Sequence, residues 1–255
     1  MTDPFDLSDR VAVITGAGTG IGRATAYLLA EHGTDVVLAG RKSEPLEVTA
    51  GGVRERGRRA TVVPTDVKDV DASEALVARA ASEHGRVDIL VNNAGGSRAK
   101  TYDTWTLKDF DDMVSLNLRS VWVLSRAAAA RMTAGGSIVN ISSAASLRPV
   151  PHSAPYGAAK AAMNNLTATM AVDLAPRGIR VNCIAVGTVK SEGFMRAMDR
   201  MGLDPDEAGG HNALGRPGTP EEIAWPSLFL VSAASSFMTG ETIHVGGGPI
   251  GWQPA

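Results

Sequence analysis

The chain has 255 residues, of which 44% are hydrophobic, 5% aromatic and 20% charged. This composition is typical of a globular protein and excludes a disordered or fibrous chain. The formal net charge of -2 provides no excess of basic groups, so neither nucleic acid nor an anionic membrane is expected as a partner.

The first residues and the single cysteine indicate where the protein works. The chain begins with Asp3, Asp6 and Asp9 among its first residues and has no basic stretch followed by an apolar run, so no secretory signal is predicted. No apolar stretch approaches the roughly 18 residues that span a bilayer. Cys183 has no second cysteine with which to form an internal disulfide. These features predict a cytoplasmic protein.

Short β-branched runs alternate with longer helical segments along the chain. Strands are predicted over residues 11–14, 36–38, 61–63, 87–91, 137–141, 180–184 and 243–245. Helices are predicted over residues 20–32, 43–57, 70–84, 106–132, 155–175 and 219–234. This alternation predicts an α/β fold, a Rossmann-type doubly wound sheet of about seven parallel strands with helices on both faces. No linker rich in Pro, Gly or Ser divides the chain, so a single domain over residues 1–255 is expected, with a substrate lid at about 188–218.

A glycine-rich turn follows the first predicted strand and opens the first predicted helix. Residues 15–22 read Thr-Gly-Ala-Gly-Thr-Gly-Ile-Gly. Glycines let the backbone approach a phosphate closely, and a helix N-terminus offers free N–H groups and a positive potential. Such a turn can also be only a tight connection, but its place between strand and helix favours dinucleotide binding. The candidate cofactor residues here are Gly16, Gly18, Thr19, Gly20, Ile21 and Gly22.

The end of the second strand bears on which dinucleotide is bound. An NAD site usually carries an acid about 20 residues beyond the glycines, where it binds the ribose 2′-OH. Here the strand ends at Gly40 and is followed by Arg41 and Lys42, whereas Asp35 lies at the wrong end of the strand. The cations favour a 2′-phosphate, hence NADP over NAD, although NAD stays possible. The alternative is that both cations belong to a solvated turn.

Tyr156 and Lys160 are four residues apart at the start of a predicted helix. This spacing places both side chains on one face of the helix. A tyrosine with a pKa near ~10 is a weak base at neutral pH. A neighbouring ammonium and a cationic nicotinamide would favour the phenolate and lower that pKa. Such a pair is nevertheless common on ordinary helix surfaces, so it has meaning only together with other motifs.

Several motifs in the same order and spacing resemble the short-chain dehydrogenase/reductase family. They are the glycine turn, Asn-Asn-Ala-Gly at residues 92–95, Asn117, Ser143 and the pair Tyr156 and Lys160. The resemblance extends from residue 7 to about residue 248 and includes Pro-Glu-Glu-Ile-Ala at 220–224 and Thr-Gly at 239–240. It implies an NAD(P)-dependent oxidoreductase that transfers a hydride between NADP(H) and a carbonyl or secondary alcohol.

The resemblance also implies a role for each catalytic position. Tyr156 is expected to be the general acid/base, and Lys160 to lower the pKa of Tyr156 and hold the nicotinamide ribose. Ser143, 13 residues before Tyr156, is expected to hold the substrate carbonyl, with Ser142 as the competing choice. Asn117 is expected to hold a water that feeds a proton relay to Lys160.

Further cofactor contacts follow from the same resemblance. Asp66 and Val67 are expected to contact the adenine, and the backbone of Asn93, Ala94 and Gly95 to form the cofactor floor, beside Tyr156 and Lys160. After the sixth strand the expected contacts are Gly187, Val189 and Ser191. Two positions depart from the family pattern, because Val186 replaces a proline and Gly246 replaces an aspartate. Neither change removes a reacting group, but the second makes the subunit contacts less certain.

The 188–218 segment carries the main indication about the substrate. Met195, Met198 and Met201 recur at spacings of three and would form one apolar side of a short lid helix. This pattern suggests a bulky, apolar carbonyl compound or secondary alcohol, and ordinary packing of the helix is the alternative. The histidines show no metal-ligand spacing, so no metal is expected.

Assembly and alternative functions complete the expectations. Alanines at residues 127–130 and 158–162 allow close helix packing, and members of the family commonly pair through these helices. A homotetramer or homodimer is therefore expected, although these faces could also pack within the domain. A non-catalytic NADP(H)-sensing regulatory protein is the main alternative function. Epimerisation or dehydration on the same scaffold is a third, disfavoured because no added sugar-binding domain is present.

Overall fold

Seven strands form one parallel sheet in the computed structural model, which describes residues 3–250. Along the sheet the strands follow the order β3-β2-β1-β4-β5-β6-β7. The strands are β1 Val11–Thr15, β2 Asp35–Gly40, β3 Ala60–Pro64, β4 Ile89–Asn92, β5 Gly136–Ser143, β6 Ile179–Val186 and β7 Thr242–Val245. The predicted Rossmann-type fold is confirmed. The termini of the predicted domain, residues 1–2 and 251–255, lie outside the described residues.

Helices cover both faces of the sheet. They are α1 Gly20–Glu31, α2 Ser43–Glu55, α3 Val70–His84, α4 Leu107–Val114, α5 Ser120–Ala129, α6 Ala154–Leu174, α7 Glu192–Met201, α8 Pro205–Gly209 and α9 Glu221–Val231. Neighbouring strand residues alternate between the two faces, so Ile14 packs in one core with α1, α2 and α9. Val13 packs in the other core with α3 and α5. Among the helices within residues 3–250, none is both long and apolar enough to cross a membrane.

The predicted helix over residues 106–132 is divided in the structure. It consists of α4, a π-helical stretch at Ser115–Arg119, and α5. A π-helical stretch inserts an extra residue into a helix and is frequently found at functional sites. The expected single helix was therefore wrong in its hydrogen-bond pattern, and the change of pattern occurs at Asn117.

The fourth strand begins at Ile89, two residues later than predicted. The carboxylate of Asp88 accepts a hydrogen bond from the backbone N–H of Val11 at 3.0 Å. It also forms ion pairs with Arg10 at 3.1 Å and with Arg86 at 2.7 Å. The Asp88 N–H also donates to the Val11 carbonyl at 3.0 Å, so one backbone and one side-chain hydrogen bond join Asp88 to Val11 directly before the β1–β4 ladder begins.

The 188–218 segment is closed at its base by a short parallel bridge between Val189 and Gly218. The backbone N–H of Lys190 donates to the Gly218 carbonyl at 2.8 Å, and the N–H of Gly218 donates to the Thr188 carbonyl at 2.9 Å. The ammonium of Lys190 also pairs with Asp206 on α8 at 2.7 Å. These contacts join the two ends of the segment and leave α7 and α8 above the carboxyl ends of the strands.

Candidate active site

The turn between β1 and α1 is shaped for close approach of a phosphate. Gly16 and Gly20 have φ values of 63° and 53°, which residues that carry a Cβ rarely adopt. A Cβ on Gly22 would lie 2.4 Å from the carbonyl oxygen of Gly16. Thr19, the N-cap residue, makes no side-chain cap, and the first turn of α1 contains no acid. The N–H groups of this helix end are therefore open to an anion, as a dinucleotide pyrophosphate requires.

Thr15 connects the glycine turn to the end of β4. Its hydroxyl oxygen accepts hydrogen bonds from the backbone N–H groups of Asn93 and Ala94, both at 3.0 Å. The side-chain amide of Asn93 returns a hydrogen bond to the Thr15 carbonyl at 2.9 Å. The two segments that the sequence associated with the cofactor are thus held together. No role was predicted for Thr15, although its place as the first residue of the glycine motif was a usable signal.

Substituting alanine for Gly22 is expected to lower the free energy of unfolding by about 1–3 kcal/mol and to weaken NADPH binding. The reason is that the new methyl would overlap the Gly16 carbonyl, which is backbone and cannot rotate away. Gly51→Ala in α2 is the matched control, because a Cβ there meets nothing within 4 Å. It should be neutral or stabilising by up to about 1 kcal/mol. Urea unfolding and a fluorescence titration with NADPH measure both effects, and equal behaviour of the two variants would contradict this account of the turn.

The ends of β2 and β3 meet beside the glycine turn. The Ala17 N–H donates to the Ala39 carbonyl at 3.0 Å, which places the exposed Arg41 just beyond the turn. Asp35, at the opposite end of β2, pairs with Arg58 at 2.8 Å. Arg41 therefore lies just beyond the carboxyl end of β2, and Asp35 lies at the opposite end of the strand, as expected from the sequence.

Asp66 and Val67 follow β3 at the same edge of the sheet. The Thr65 N–H donates to the Gly40 carbonyl at 2.8 Å and so brings this loop beside the end of β2. The Asp66 carboxylate accepts the backbone N–H of Lys68 at 3.0 Å, whereas Val67 is buried. Asp66 thus shapes its own turn with a local hydrogen bond.

Asn117 lies fully buried at the centre of the π-helical stretch. Its side-chain amide donates to the carbonyl oxygens of Met113 and Gly96, both at 3.0 Å. Its amide oxygen accepts the Gly96 N–H at 3.1 Å. A Cβ on Gly95 would lie 2.9 Å from this oxygen and 3.3 Å from Nζ of Lys160. Asn117 therefore joins the helix to the glycine loop directly beside Lys160.

Lys160 is buried in α6, with only 3% of its surface exposed. Its ammonium donates to the Ile141 carbonyl at 2.7 Å and lies 5.8 Å from the centre of the Tyr156 ring. Burial lowers the pKa of Lys160 to about 8. The pair predicted from the spacing of four is therefore adjacent, and it faces the interior rather than solvent.

In the protein without cofactor the pKa of Tyr156 lies above its ordinary value, and the lowering expected from Lys160 together with a cationic nicotinamide stays a prediction. Burial raises the pKa of the phenol, and a hydrogen bond with the Ser143 hydroxyl acts against that rise. The phenol is consequently protonated at neutral pH.

The two adjacent serines at the end of β5 differ in their surroundings. Ser142 is buried and donates to the backbone carbonyl of Lys160 at 3.4 Å. Ser143 is half-buried, accepts the Ala145 N–H at 3.2 Å, and lies near enough to Tyr156 for its hydroxyl to oppose the rise in the pKa of the phenol. Only Ser143 therefore lies beside the phenol and is also open to a substrate.

The segment after β6 meets both the glycine turn and the end of β7. A Cβ on Gly20 would lie 3.0 Å from the Cβ of Ser191, whose hydroxyl oxygen accepts the Phe194 N–H at 3.2 Å at the start of α7. A Cβ on Gly187 would lie 2.6 Å from the Cα of Gly246. Val189 is buried. The two departures from the family pattern, Val186 and Gly246, thus occur in segments that contact each other.

The three methionines of α7 are not among the residues that line a small cavity at the site. Met195 and Met201 on α7 are exposed, and Met198 is half-buried. A cavity of about 30 Å³ between the loop after β5, the lid and the end of β7 is lined by Arg148, His211 and His244. Sequence reasoning did not bring these three residues together, because they are far apart in the chain. Within residues 3–250, no group of His, Cys, Asp and Glu side chains could hold a metal ion.

Comparison with known proteins identifies the family. A family model described as enoyl-(acyl carrier protein) reductase matches residues 16–249. Gluconate 5-dehydrogenase of Gluconobacter oxydans (strain 621H) is 38% identical over 251 residues, covering 96% of this chain and 96% of that relative. The chain belongs to the short-chain dehydrogenase/reductase family. It is an oxidoreductase that acts on CH–OH or C=O groups.

Solved structures of this short-chain dehydrogenase/reductase family superpose closely on the chain. L-sorbose reductase from Gluconobacter frateurii, complexed with NADPH and L-sorbose, has a TM-score of 0.94 and 28% identity over 98% of this chain and 100% of its own. A 7α-hydroxysteroid dehydrogenase, complexed with NADH and 7-oxo glycochenodeoxycholic acid, has a TM-score of 0.91 and 32% identity over 100% of both chains. The resemblance stated from the motifs is confirmed.

Proposed function

We propose that this protein transfers a hydride between NADP(H) and a carbonyl or secondary alcohol substrate, with Tyr156 as the general acid/base. The observation that carries the proposal is the adjacency of Tyr156, Lys160 and Ser143 at the carboxyl edge of the sheet, beside the glycine turn. The open N-terminus of α1 fits a pyrophosphate. Relatives complexed with NADPH and with NADH support a nicotinamide cofactor.

The protonated phenol of Tyr156 is suited to deliver a proton to the oxygen of a carbonyl group. When bound, the nicotinamide supplies the hydride to the carbonyl carbon or accepts it in the reverse direction. Ser143, beside the phenol, donates a second hydrogen bond to the same oxygen and holds it in place. In the reverse direction Tyr156 has to be deprotonated before it can accept the proton of the alcohol.

Lys160 and Asn117 position this pair. The Lys160 ammonium has donors left after bonding to the Ile141 carbonyl, and these could hold the ribose hydroxyls of the nicotinamide half of the cofactor. The side chain of Asn117 is occupied by Gly96 and Met113, so it fixes the loop against which Lys160 packs. The proposed proton relay from a water to Lys160 passes beside this residue.

NADP is the proposed cofactor because Arg41 is exposed at the end of β2 and no acid is present there. Within residues 3–250 the Arg41 guanidinium makes no ion pair, so it is available for a 2′-phosphate. The remaining proposed cofactor contacts are the residues named above after β3, β4 and β6.

Arg41→Ala is expected to raise KM for NADPH by about tenfold to a hundredfold, with a much smaller change in KM for NADH. The reason is that only NADPH carries the phosphate that the guanidinium would bind. Arg54→Ala, near the other end of α2, removes the same charge from a half-exposed side chain and should leave both constants unchanged. Steady-state kinetics with both cofactors measures the effect. Equal changes for the two cofactors in Arg41→Ala would overturn the 2′-phosphate assignment.

A screen of ketones, aldehydes and secondary alcohols with NADPH, NADH and their oxidised forms tests the enzymatic function. We expect absorbance changes at the nicotinamide band with at least one carbonyl class. A protein that binds the nucleotide and turns over no member of the panel would be an NADP(H)-sensing regulator, and the proposed activity would be wrong.

The proposed lid, assembly and location follow from the surface and the core. The lid methionines are half-buried or exposed and are available to an apolar part of a substrate.

Ala127, Ala128 and Ala129 are buried within the chain, so their packing is intradomain. α6 instead exposes Ala158, Ala161 and Val172, and this face is the proposed contact of a homodimer or homotetramer. A cytoplasmic location is proposed from the unpaired, buried Cys183.

A further inference from the structure

The residues that line the small cavity beside the candidate active site include basic side chains and no acidic ones within residues 3–250. Arg148 comes from the loop after β5, His211 from the 188–218 segment and His244 from β7. All the other residues that line it are neutral, and among residues 3–250 no carboxylate lines it. Arg148, His211 and His244 are therefore the ionisable residues that line about 30 Å³ of space, and within residues 3–250 no acid is among them.

The cavity is next to the proposed reacting groups. Ala144, which lines it, directly follows Ser143, and Gly187, which also lines it, directly follows β6. His244 is in register with Ala185 on β6, and Ala185 is in register with Ser142 on β5. A substrate whose carbonyl lies at Ser143 can therefore extend another group into the cavity.

The charges around the cavity are not neutralised by their neighbours. Within the described part of the chain Arg148 makes no ion pair. Burial and the charge of Arg148 lower the pKa of His244, so the imidazole is neutral at neutral pH and donates one hydrogen bond.

A wider groove, which shares His211 with the cavity, is lined by the acids Asp204, Asp206 and Glu207. Two of them have partners of their own, because Asp206 pairs with Lys190 and Asp204 caps α8. These acids do not enter the cavity, so its own lining lacks a counter-ion.

We propose that this cavity binds a carboxylate of the substrate, so that the substrates are oxo acids or the corresponding hydroxy acids. The inference rests on the proposed oxidoreductase function and names its substrate class. A guanidinium forms paired hydrogen bonds with a carboxylate, and the imidazole of His244 donates a further one. A phosphate monoester at the same position is also an oxyanion, and it is the alternative that the test below distinguishes.

Matched substrates test the assignment. A cyclohexanone with a carboxylate at the far end of the ring is compared with the same ketone bearing a carboxamide or a phosphate monoester there, and linear oxo acids of increasing length are compared with their amides. The wild-type kcat/KM is expected to be at least about tenfold higher for the best acid than for its amide. In Arg148→Ala this ratio should fall close to one, and in His244→Gln it should fall in part.

Arg200→Ala is the control, because Arg200 is an exposed arginine of the lid helix that does not line the cavity. This variant should keep the wild-type ratio of acid to amide. A wild-type ratio near one, a ratio that survives in Arg148→Ala, or a preference for the phosphate over the acid would overturn the carboxylate site.

Binding without turnover provides an independent readout. Calorimetric titration of the NADP-loaded protein with cyclohexanecarboxylate should give affinity at least about tenfold higher than with cyclohexanecarboxamide, and Arg148→Ala should remove the difference. Equal affinities would overturn the inference even if no ketone is turned over. Turnover of acids and amides alike, lost in Tyr156→Phe, would leave the proposed function standing without the carboxylate site. Turnover unaffected by Tyr156→Phe would overturn the proposed function instead.

Discussion

Tyr156→Phe is expected to lower kcat for carbonyl reduction by about a hundredfold to ten-thousandfold while NADPH still binds. The substitution removes only the hydroxyl, so the ring keeps its packing beside Lys160. The proton that the phenol delivers to the substrate oxygen then has no donor within the site. Steady-state oxidation of NADPH with the best ketone of the screen measures kcat, and fluorescence titration measures the affinity for NADPH.

Tyr102→Phe provides the matched control for this experiment. Tyr102 is 87% exposed in a short turn before α4, and the same atom is removed. Its kcat should equal that of the wild-type protein. Turnover of Tyr156→Phe within about threefold of wild type, a change too small for the loss of general acid catalysis, would show that another group supplies the proton.

Lys160→Met is expected to abolish turnover and yet to raise the free energy of unfolding of the protein without cofactor by about 1–2 kcal/mol. The pKa of Lys160 falls from 10.5 to about 8 on folding. At neutral pH that fall corresponds to a cost of about 3 kcal/mol for keeping the ammonium charged in the interior. The lost hydrogen bond to the Ile141 carbonyl offsets about 1 kcal/mol of the gain.

The pH dependence distinguishes this cause from better packing of the methionine. Below pH about 8 both folded and unfolded wild-type protein carry the proton on Lys160, so the full cost is present. Between about 8 and 10.5 the unfolded chain binds more protons than the folded one, so wild-type stability rises with pH. The advantage of Lys160→Met should therefore shrink as the pH rises through that range.

Urea unfolding of both proteins at pH 7 and near pH ~10 measures the change. Lys108→Met, on the exposed side of α4, is the control and should show no such pH-dependent gain. A Lys160→Met protein less stable than wild type at pH 7, or a stability difference that is the same at both pH values, would contradict the burial cost. The expected result would mean that the site holds a destabilising charge for the sake of its chemistry.

The local patterns were sufficient to predict the fold. Alternating β-branched and helical segments identified all seven strands, although β4 begins two residues later than predicted, directly after Asp88. The helix α7 was also predicted from the spacing of its methionines, and its role as a substrate lid stays a prediction. Such features depend on residues close in sequence, so the sequence shows them directly.

Other features of the site depend on contacts between distant segments. The choice between Ser142 and Ser143 follows from where β5 ends against α6. The π-helical stretch at Asn117 is accompanied by a contact with Gly96 in another loop. Neither is encoded by a local period, and both became visible only with the packed structure.

The sequence by itself determined the family, the parallel sheet, the glycine turn and the adjacency of Tyr156 and Lys160, because each follows from short-range spacing. The tertiary structure alone decided the electrostatics. In the protein without cofactor, burial raises the pKa of Tyr156 and lowers that of Lys160, which the spacing of the two residues does not reveal. The tertiary structure also brings Arg148, His211 and His244 to the lining of one cavity. The desolvation of a side chain and the contact of residues distant in sequence both depend on the packed chain, so no single segment of the sequence shows them.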